Sequence, residues 1–167
     1  EIKAMWKFVD PIIRAWQKNL VPLKSYAPNS DVTAVLQGDR RERFKKEVGI
    51  VGLGKMGGNL AHQLLSKQWL VVGFNRNPKV TQKMEAEGIA ATYSLQELTN
   101  TLSKPRVVLL TVPAFAKAPA GKPVDEVIKK LLPFLDKGDT IIDGGNSFYK
   151  DSQDRYRKLK KQGIHFI

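Results

Sequence analysis

Residues 49–59 read GIVGLGKMGGN, a stretch with five glycines in eleven positions. Glycine weakens both helices and strands, so this density indicates a backbone that must turn sharply or approach another group closely. Three of the glycines, Gly52, Gly54 and Gly57, have the spacing G-x-G-x-x-G between an apolar run and a helical pattern. In a strand–turn–helix unit this spacing is typical of dinucleotide binding, with the pyrophosphate at the helix N-terminus. A glycine-rich turn that only joins two elements is the alternative.

The rest of the chain alternates strand and helix patterns. Apolar runs at 70–74 and 106–112 indicate buried strands, and amphipathic spacings of three and four residues separate the runs. Crossovers of this length favour a parallel sheet with helices on both faces. The sequence therefore predicts an α/β fold over 47–167, a Rossmann-type doubly wound parallel sheet, preceded by a short helical and extended segment.

The residues after the second predicted strand bear on which dinucleotide is bound. Asn75 and Arg76 follow this strand, and no carboxylate stands there. A carboxylate at this position pairs with the free 2′-hydroxyl of NAD, whereas a guanidinium matches a 2′-phosphate. We therefore expect NADP as the cofactor, although Arg76 could instead be an exposed arginine in a turn. The predicted cofactor-binding residues here are Gly52, Leu53, Gly54, Lys55, Met56, Gly57, Asn75 and Arg76.

The charge balance narrows the class of partner. The chain has 167 residues with 28 lysines and arginines against 16 acidic residues, a formal net charge of +12 that suits an anionic ligand. The dense basic runs at 40–46 and 155–161 each hold a single aromatic residue, which favours a solvated helix face or linker over a nucleic-acid surface. We expect a cytoplasmic segment of a longer chain that binds neither nucleic acid nor membrane. No cysteine is present, which excludes thiolate metal sites, and we expect no metal.

Three stretches carry a family resemblance over about 47–167. GIVGLGKMGGNLA (49–61), NRNP (75–78) and GDTIIDGGNSFYKDS (138–152) resemble the N-terminal cofactor domain of 6-phosphogluconate dehydrogenase. The resemblance implies that Asn146 contacts both nicotinamide and the substrate hydroxyl, and that Val112 and the loop after it lie along the cofactor. It also implies oxidative decarboxylation of 6-phosphogluconate, a phosphorylated sugar acid, to ribulose 5-phosphate in the pentose phosphate pathway. The alternative interpretation is that DGGN (143–146) is a turn with no role in ligand binding.

Two departures from this family stand out. The stretch VPAFAKAPAGKPVDEVI (112–128) is longer than its counterpart in the family, and the insertion lies beside the expected nicotinamide. The family's lysine base, its glutamate acid and the helical domain through which it forms a homodimer have no counterpart in the sequence. We therefore expect no catalytic residue in this segment, which should bind the cofactor without turnover.

The N-terminal segment has a resemblance of its own. MWKFVDPIIRAWQKNLVPLKSYAPNS (5–30) is similar to the C-terminal end of glucose-6-phosphate dehydrogenase. We predict a tail segment of an upstream dehydrogenase-like domain at 1–36, with the resemblance in about 1–30, a charged linker at 37–46, and an NADP-binding domain at 47–167. This organisation indicates a fused glucose-6-phosphate/6-phosphogluconate dehydrogenase. Another β-hydroxyacid dehydrogenase cofactor domain, or a non-catalytic module that senses NADP(H), is the alternative.

Overall fold

The computed structural model describes residues 46–112 and 122–167. The predicted tail at 1–36, the linker except for Lys46, and the insertion within 113–121 lie outside the described residues. The first strand begins at Lys46, the residue at which the predicted linker ends.

Strands and helices alternate along the described residues, as the apolar pattern predicts. The elements are β1 (Lys46–Val51), α1 (Lys55–Ser66), β2 (Trp69–Phe74), α2 (Pro78–Ala86), β3 (Ala90–Thr92), α3 (Leu95–Thr101), β4 (Val107–Leu110), α4 (Lys122–Leu131), β5 (Thr140–Asp143), α5 (Tyr149–Lys160) and β6 (His165–Phe166). A short 3₁₀ turn, Leu132–Phe134, follows α4. The amphipathic pattern of the sequence predicts one helix from Val124 to Leu135, but the geometry changes near its end, where Pro133 lacks the N–H that an α-helix requires.

The strands form one sheet in the order β3-β2-β1-β4-β5-β6, and every pairing is parallel. This order is that of a doubly wound dinucleotide-binding fold, so the predicted fold class is confirmed. The order reverses between β1 and β4, where Ile50 lies beside Leu109. In such sheets ligands bind outside the carboxyl ends of the strands at this reversal.

Two apolar layers cover the faces of the sheet. Alternate residues of β2 and β4 point to opposite sides, so Val72 and Leu110 join one buried cluster while Val71 and Leu109 join the other. The first cluster includes residues of α3, α4 and α5, and the second includes residues of α1 and α2. Because both faces are covered, the strands are nearly continuous apolar runs.

Two helix starts follow from local sequence signals. The Asn77 side chain accepts the N–H of Lys79 (3.1 Å) ahead of Pro78, the first residue of α2. The Ser94 hydroxyl accepts the N–H of Glu97 (3.0 Å), as its capping-box spacing predicts. The Glu97 carboxylate reaches back to the N–H of Tyr93 (2.8 Å), one residue before the cap.

Candidate dinucleotide-binding site

The first and third glycines of the motif are required by the protein's own packing. Gly52 has φ +100°, which non-glycine residues rarely adopt, and a Cβ there would lie 2.9 Å from the Thr111 carbonyl oxygen. A Cβ on Gly57 would overlap both the Gly52 carbonyl oxygen and the Thr111 hydroxyl. These two glycines let α1 start close against the carboxyl ends of β1 and β4.

Gly54 differs from the other two glycines. It is the exposed N-cap residue of α1, with φ −68°, and a Cβ built on it would meet no atom within 4 Å. Neither backbone conformation nor packing within the described residues requires glycine here. The open space adjoins the N-terminus of a twelve-residue helix whose first turn holds no acidic residue. Unpaired N–H groups and a partial positive charge at such an end favour an anion such as a pyrophosphate.

Of the other residues in the glycine turn, Leu53 is buried, whereas Lys55 and Met56 are exposed. Leu53 has its side chain in the core, 3% exposed, and its N–H donates to Asn75 Oδ1 (3.0 Å). Leu53, a predicted cofactor-binding residue, thus shapes the turn from within. Lys55 and Met56 are exposed in the first turn of α1, where both could contact a ligand at the helix N-terminus.

Asn75 connects the glycine turn to the loop after β2. Besides accepting the N–H of Leu53, it donates its own N–H to Oγ1 of the buried Thr81 (3.2 Å) and its side-chain amide to the Asn77 carbonyl (3.3 Å). We predicted Asn75 as a cofactor-binding residue; the structure adds that it positions both loops. Arg76, the next residue, is exposed, and the residues that the structure describes give its guanidinium no hydrogen bond or ion pair.

Thr111, at the carboxyl end of β4, joins the glycine turn to the other half of the sheet. Its N–H donates to the Val51 carbonyl (2.9 Å) and its hydroxyl to the Gly52 carbonyl (2.5 Å). The sequence analysis missed this residue. The available signal was that Thr111 is the single polar residue in the otherwise apolar run 107–112.

The turn after β5 lies beside Val112. The Gly144 N–H donates to the Leu110 carbonyl (2.9 Å), and a Cβ on Gly145 would lie 3.2 Å from the Val112 carbonyl oxygen. Val112 is half-buried and Asn146 is exposed at this turn. The structure therefore brings these two predicted residues to the same part of the carboxyl edge.

A buried carboxylate organises the same turn. The Asp143 side chain, 4% exposed, accepts the Gly145 N–H (3.0 Å) and the Ser147 hydroxyl (2.6 Å). Arg155 of α5 donates to Asp143 (3.2 Å) and forms a fork with Asp125 of α4. Burial alone would lower the pKa of the Arg155 guanidinium, but its hydrogen bonds to Asp125 and the surrounding carboxylates raise that pKa above its ordinary value. The sequence analysis assigned no role to Arg155 or Asp125.

The two predicted ends of the site lie on opposite sides of the strand reversal. Arg76 follows β2 and Asn146 follows β5, and β1 and β4 lie between these strands. Parallel strands are about 4.8 Å apart, so the two strand ends are separated by about 14 Å. An extended dinucleotide across the reversal would place its two halves over these ends.

A metal site and a membrane-spanning helix are both absent from ranges 46–112 and 122–167. These residues contain no group of three histidine, cysteine or acidic side chains that could hold a metal ion. Nor does any helix within them have the length and apolar character needed to cross a membrane.

The strand order, the open Gly54 turn and the exposed helix N-terminus define a domain of the dinucleotide-binding class. Within that class, residues 47–167 match the model of the NAD binding domain of 6-phosphogluconate dehydrogenase, and the chain belongs to this family. The resemblance predicted from the three motifs is confirmed over these residues.

Relatives in this family differ in their nicotinamide cofactor. The NADP(+)-dependent, decarboxylating 6-phosphogluconate dehydrogenase of Bacillus subtilis is 42% identical over 127 residues, which cover 74% of this chain and 26% of the relative. The NAD(+)-dependent enzyme of the same organism is 40% identical over 124 residues, covering 72% and 25%.

A solved structure extends the comparison to three dimensions. The 6-phosphogluconate dehydrogenase of Plasmodium falciparum, described as an apo form and in complexes with its cofactor NADP+ and its substrate 6-phosphogluconate, superimposes with a TM-score of 0.61. It is 34% identical and covers 72% of this chain and 26% of its own. The chain thus spans about a quarter of the length of these relatives.

Proposed function

We propose that residues 47–167 bind NADP+ as the cofactor domain of a 6-phosphogluconate dehydrogenase. The observation that carries this proposal is the open space at Gly54 beside an exposed Arg76, with the two loops joined by the Leu53–Asn75 hydrogen bond. The two Bacillus relatives are almost equally similar to this chain, so overall identity does not choose between the cofactors. The preference for NADP+ rests on the guanidinium of Arg76 and on the absence of a carboxylate at 75–77, where β2 ends.

Each group of site residues would contact a different part of the cofactor. The N-terminus of α1 and Gly54 would hold the pyrophosphate, Arg76 the 2′-phosphate, and Val112 and Asn146 the nicotinamide side. NADP+ supplies a hydride acceptor when it is bound. The carboxamide of Asn146 can donate and accept hydrogen bonds, so it could orient a substrate hydroxyl at the same end.

For the whole protein we propose oxidation and decarboxylation of 6-phosphogluconate to ribulose 5-phosphate, in a homodimer formed with the family's helical domain. The chemistry needs a general acid and base. Asp143, the carboxylate nearest Asn146 in sequence, is buried and hydrogen-bonded to Ser147 and Arg155. We therefore propose that the 167 residues bind the cofactor without turning over substrate.

We also propose that residues 1–36 are the tail of a glucose-6-phosphate dehydrogenase-like domain, joined by the charged linker at 37–46. The support is the resemblance of the stretch 5–30 and its two tryptophans, Trp6 and Trp16. Both residues lie outside the part of the chain that the structure describes.

Calorimetric titration of the 167-residue chain with NADP+ and NAD+ tests the cofactor assignment. The wild type should bind NADP+ more tightly, and Arg76→Ala should lose about 1.5–3 kcal/mol for NADP+, the scale of hydrogen bonds to a charged group. Affinity for NAD+, which lacks the 2′-phosphate, should change little.

Lys83→Ala is the matched control, because it removes one positive charge from an exposed position of α2. It should leave both affinities near the wild-type values. Equal wild-type affinity for the two cofactors would contradict the role of Arg76.

A further inference from the structure

Arg155 joins three elements behind the turn that carries Asn146. Its side chain is 5% exposed, and its Nε and Nη2 donate to the two carboxylate oxygens of Asp125 (2.7 and 3.2 Å). Its Nη1 donates to Asp143 Oδ2 (3.2 Å) and to Ser147 Oγ (3.1 Å). One guanidinium therefore connects α5, the first turn of α4, and the turn 143–147.

The shape of this turn depends on where the Asp143 carboxylate is held. That carboxylate accepts the Gly145 N–H and the Ser147 hydroxyl, so its position sets the backbone on both sides of Asn146. A buried carboxylate is costly unless a cation compensates it, and Arg155 is that cation. The side chain of Asn146 itself is exposed at the carboxyl edge.

We infer that Arg155 is a positioning residue for the nicotinamide half of the cofactor site, an inference that rests on the proposed function. Through Asp143 and Ser147 it fixes Asn146 relative to Val112, and through Asp125 it fixes the same turn relative to α4. The planar fork is essential, because it engages Asp125 with one side while the remaining nitrogen reaches the turn. An ammonium group is a point charge and cannot hold both sides at once.

The test compares two ligands that share one half. Adenosine 2′,5′-bisphosphate keeps the 2′-phosphate but lacks the nicotinamide, whereas NADP+ has both. In the full chain, Arg155→Lys should weaken NADP+ binding about tenfold, the equivalent of one hydrogen bond to a charged group, and leave the bisphosphate within about twofold. Thermal unfolding without ligand reports the structural part of the effect separately.

Two further variants keep the test decisive. Arg106→Lys makes the same change at a buried arginine of the opposite edge, so it should lower thermal stability without altering the ratio of the two affinities. If Arg155→Lys does not fold, Ser147→Ala decides, because it removes one hydroxyl that bonds both Asp143 and Arg155. It should weaken NADP+ binding about threefold and spare the bisphosphate.

Three outcomes would overturn the inference: equal weakening of both ligands, an equal change of the ratio in Arg106→Lys, or wild-type protein that binds NADP+ no more tightly than the bisphosphate. In each of these the bisphosphate still binds and the proposed function stands. Wild-type protein that binds neither ligand would instead overturn the proposed function.

Discussion

The sheet has one buried arginine near its amino edge, where the strands begin, and another near its carboxyl edge, where the strands end. Both arginines pair with aspartates. Arg106 lies at the amino edge, where Nε donates to the Thr99 carbonyl (2.8 Å) and Nη1 to Asp136 (2.7 Å) and Asp139 (2.8 Å). These contacts join α3 and β4 to the connection that leads into β5. Arg155 lies beside the carboxyl edge and its partners surround an exposed turn.

Burial and ion pairing alone do not tell an arginine that supports a ligand site from one that only supports the fold. Both guanidiniums are nearly inaccessible, with side chains 8% and 5% exposed. For both, burial would lower the pKa and hydrogen bonds to aspartate raise it above the ordinary arginine value. Only their positions relative to the carboxyl ends of the strands, where ligands bind in this fold, separate them.

The largest loss of stability is expected when Arg106, at the amino edge, is replaced. Arg106→Met leaves Asp139, 1% exposed, without its cation, so the free energy of unfolding should fall by about 3–5 kcal/mol. The ratio of NADP+ to adenosine 2′,5′-bisphosphate affinity should stay unchanged in protein that remains folded. Denaturant unfolding measures the first quantity and calorimetry the second.

The exposed Arg157 provides the control for that experiment. Its pair with Asp154 (3.5 Å) lies on the surface of α5, so Arg157→Met should cost no more than about 1 kcal/mol. A loss in Arg106→Met as small as this would mean that the amino-edge cluster does not stabilise the fold.

A smaller loss of stability should distinguish Gly57 from Gly54, two glycines at the carboxyl edge. Gly57→Ala places a methyl group against the Gly52 carbonyl and the Thr111 hydroxyl, so the free energy of unfolding should fall by about 1–3 kcal/mol. Gly54→Ala meets no atom of the described residues, so unfolding should change by less than about 1 kcal/mol. Its methyl group nevertheless enters the space proposed for the pyrophosphate, and NADP+ affinity should fall.

Parallel measurements of unfolding and NADP+ affinity on both variants check this pair. Equal losses of stability would show that Gly54 is required by the fold, and the proposed pyrophosphate position would then lose its support.

The smallest effect is a pH dependence at the amino edge. Hydrogen bonds from Lys104 and then Arg106 lower the pKa of the Asp136 carboxyl below its ordinary value. Such a group stabilises the fold above the unfolded-state pKa, and this contribution is lost as the pH falls below about 4 through the folded-state pKa. Asp136→Asn should therefore lose less stability than the wild type between about pH 5 and pH 2.

Unfolding free energies measured across that pH range test the assignment. Lys104→Met should flatten the profile in the same direction, since Lys104 is the first cause of the shift. Profiles of wild type and Asp136→Asn that run parallel down to pH 2 would contradict it.

The fold could be predicted because its signals are local. The buried runs in β2 and β4, the Asn77 and Ser94 caps and the G-x-G-x-x-G spacing each lie within a few consecutive residues. The family resemblance drew on the same short stretches. Local patterns also suffice to propose Gly54 and Arg76 as ligand contacts, because both follow strand ends.

The supporting contacts could not be predicted because they join distant residues. Arg155 and Asp125 are thirty positions apart, and the Leu53–Asn75 hydrogen bond spans twenty-two. A basic run such as 155–161 gives no sign of which arginine points inward. The run favours a solvated helix face or linker, yet Arg155 within it is buried. Such pairings depend on how helices pack on the sheet, which alternation alone does not determine.

The Leu53–Asn75 hydrogen bond has a consequence for how cofactor preference can evolve. Asn75 makes the hydrogen bonds that hold the glycine turn and the loop after β2. The neighbouring Arg76 makes no hydrogen bond or ion pair to the described residues, so the fold of these residues does not depend on its side chain. On the proposed assignment of Arg76 to the 2′-phosphate, its replacement by an acidic residue would shift the preference from NADP+ towards NAD+ without removing a hydrogen bond or ion pair from the described residues. On that assignment, the cofactor preference of such a domain could change during evolution by mutation at a single codon.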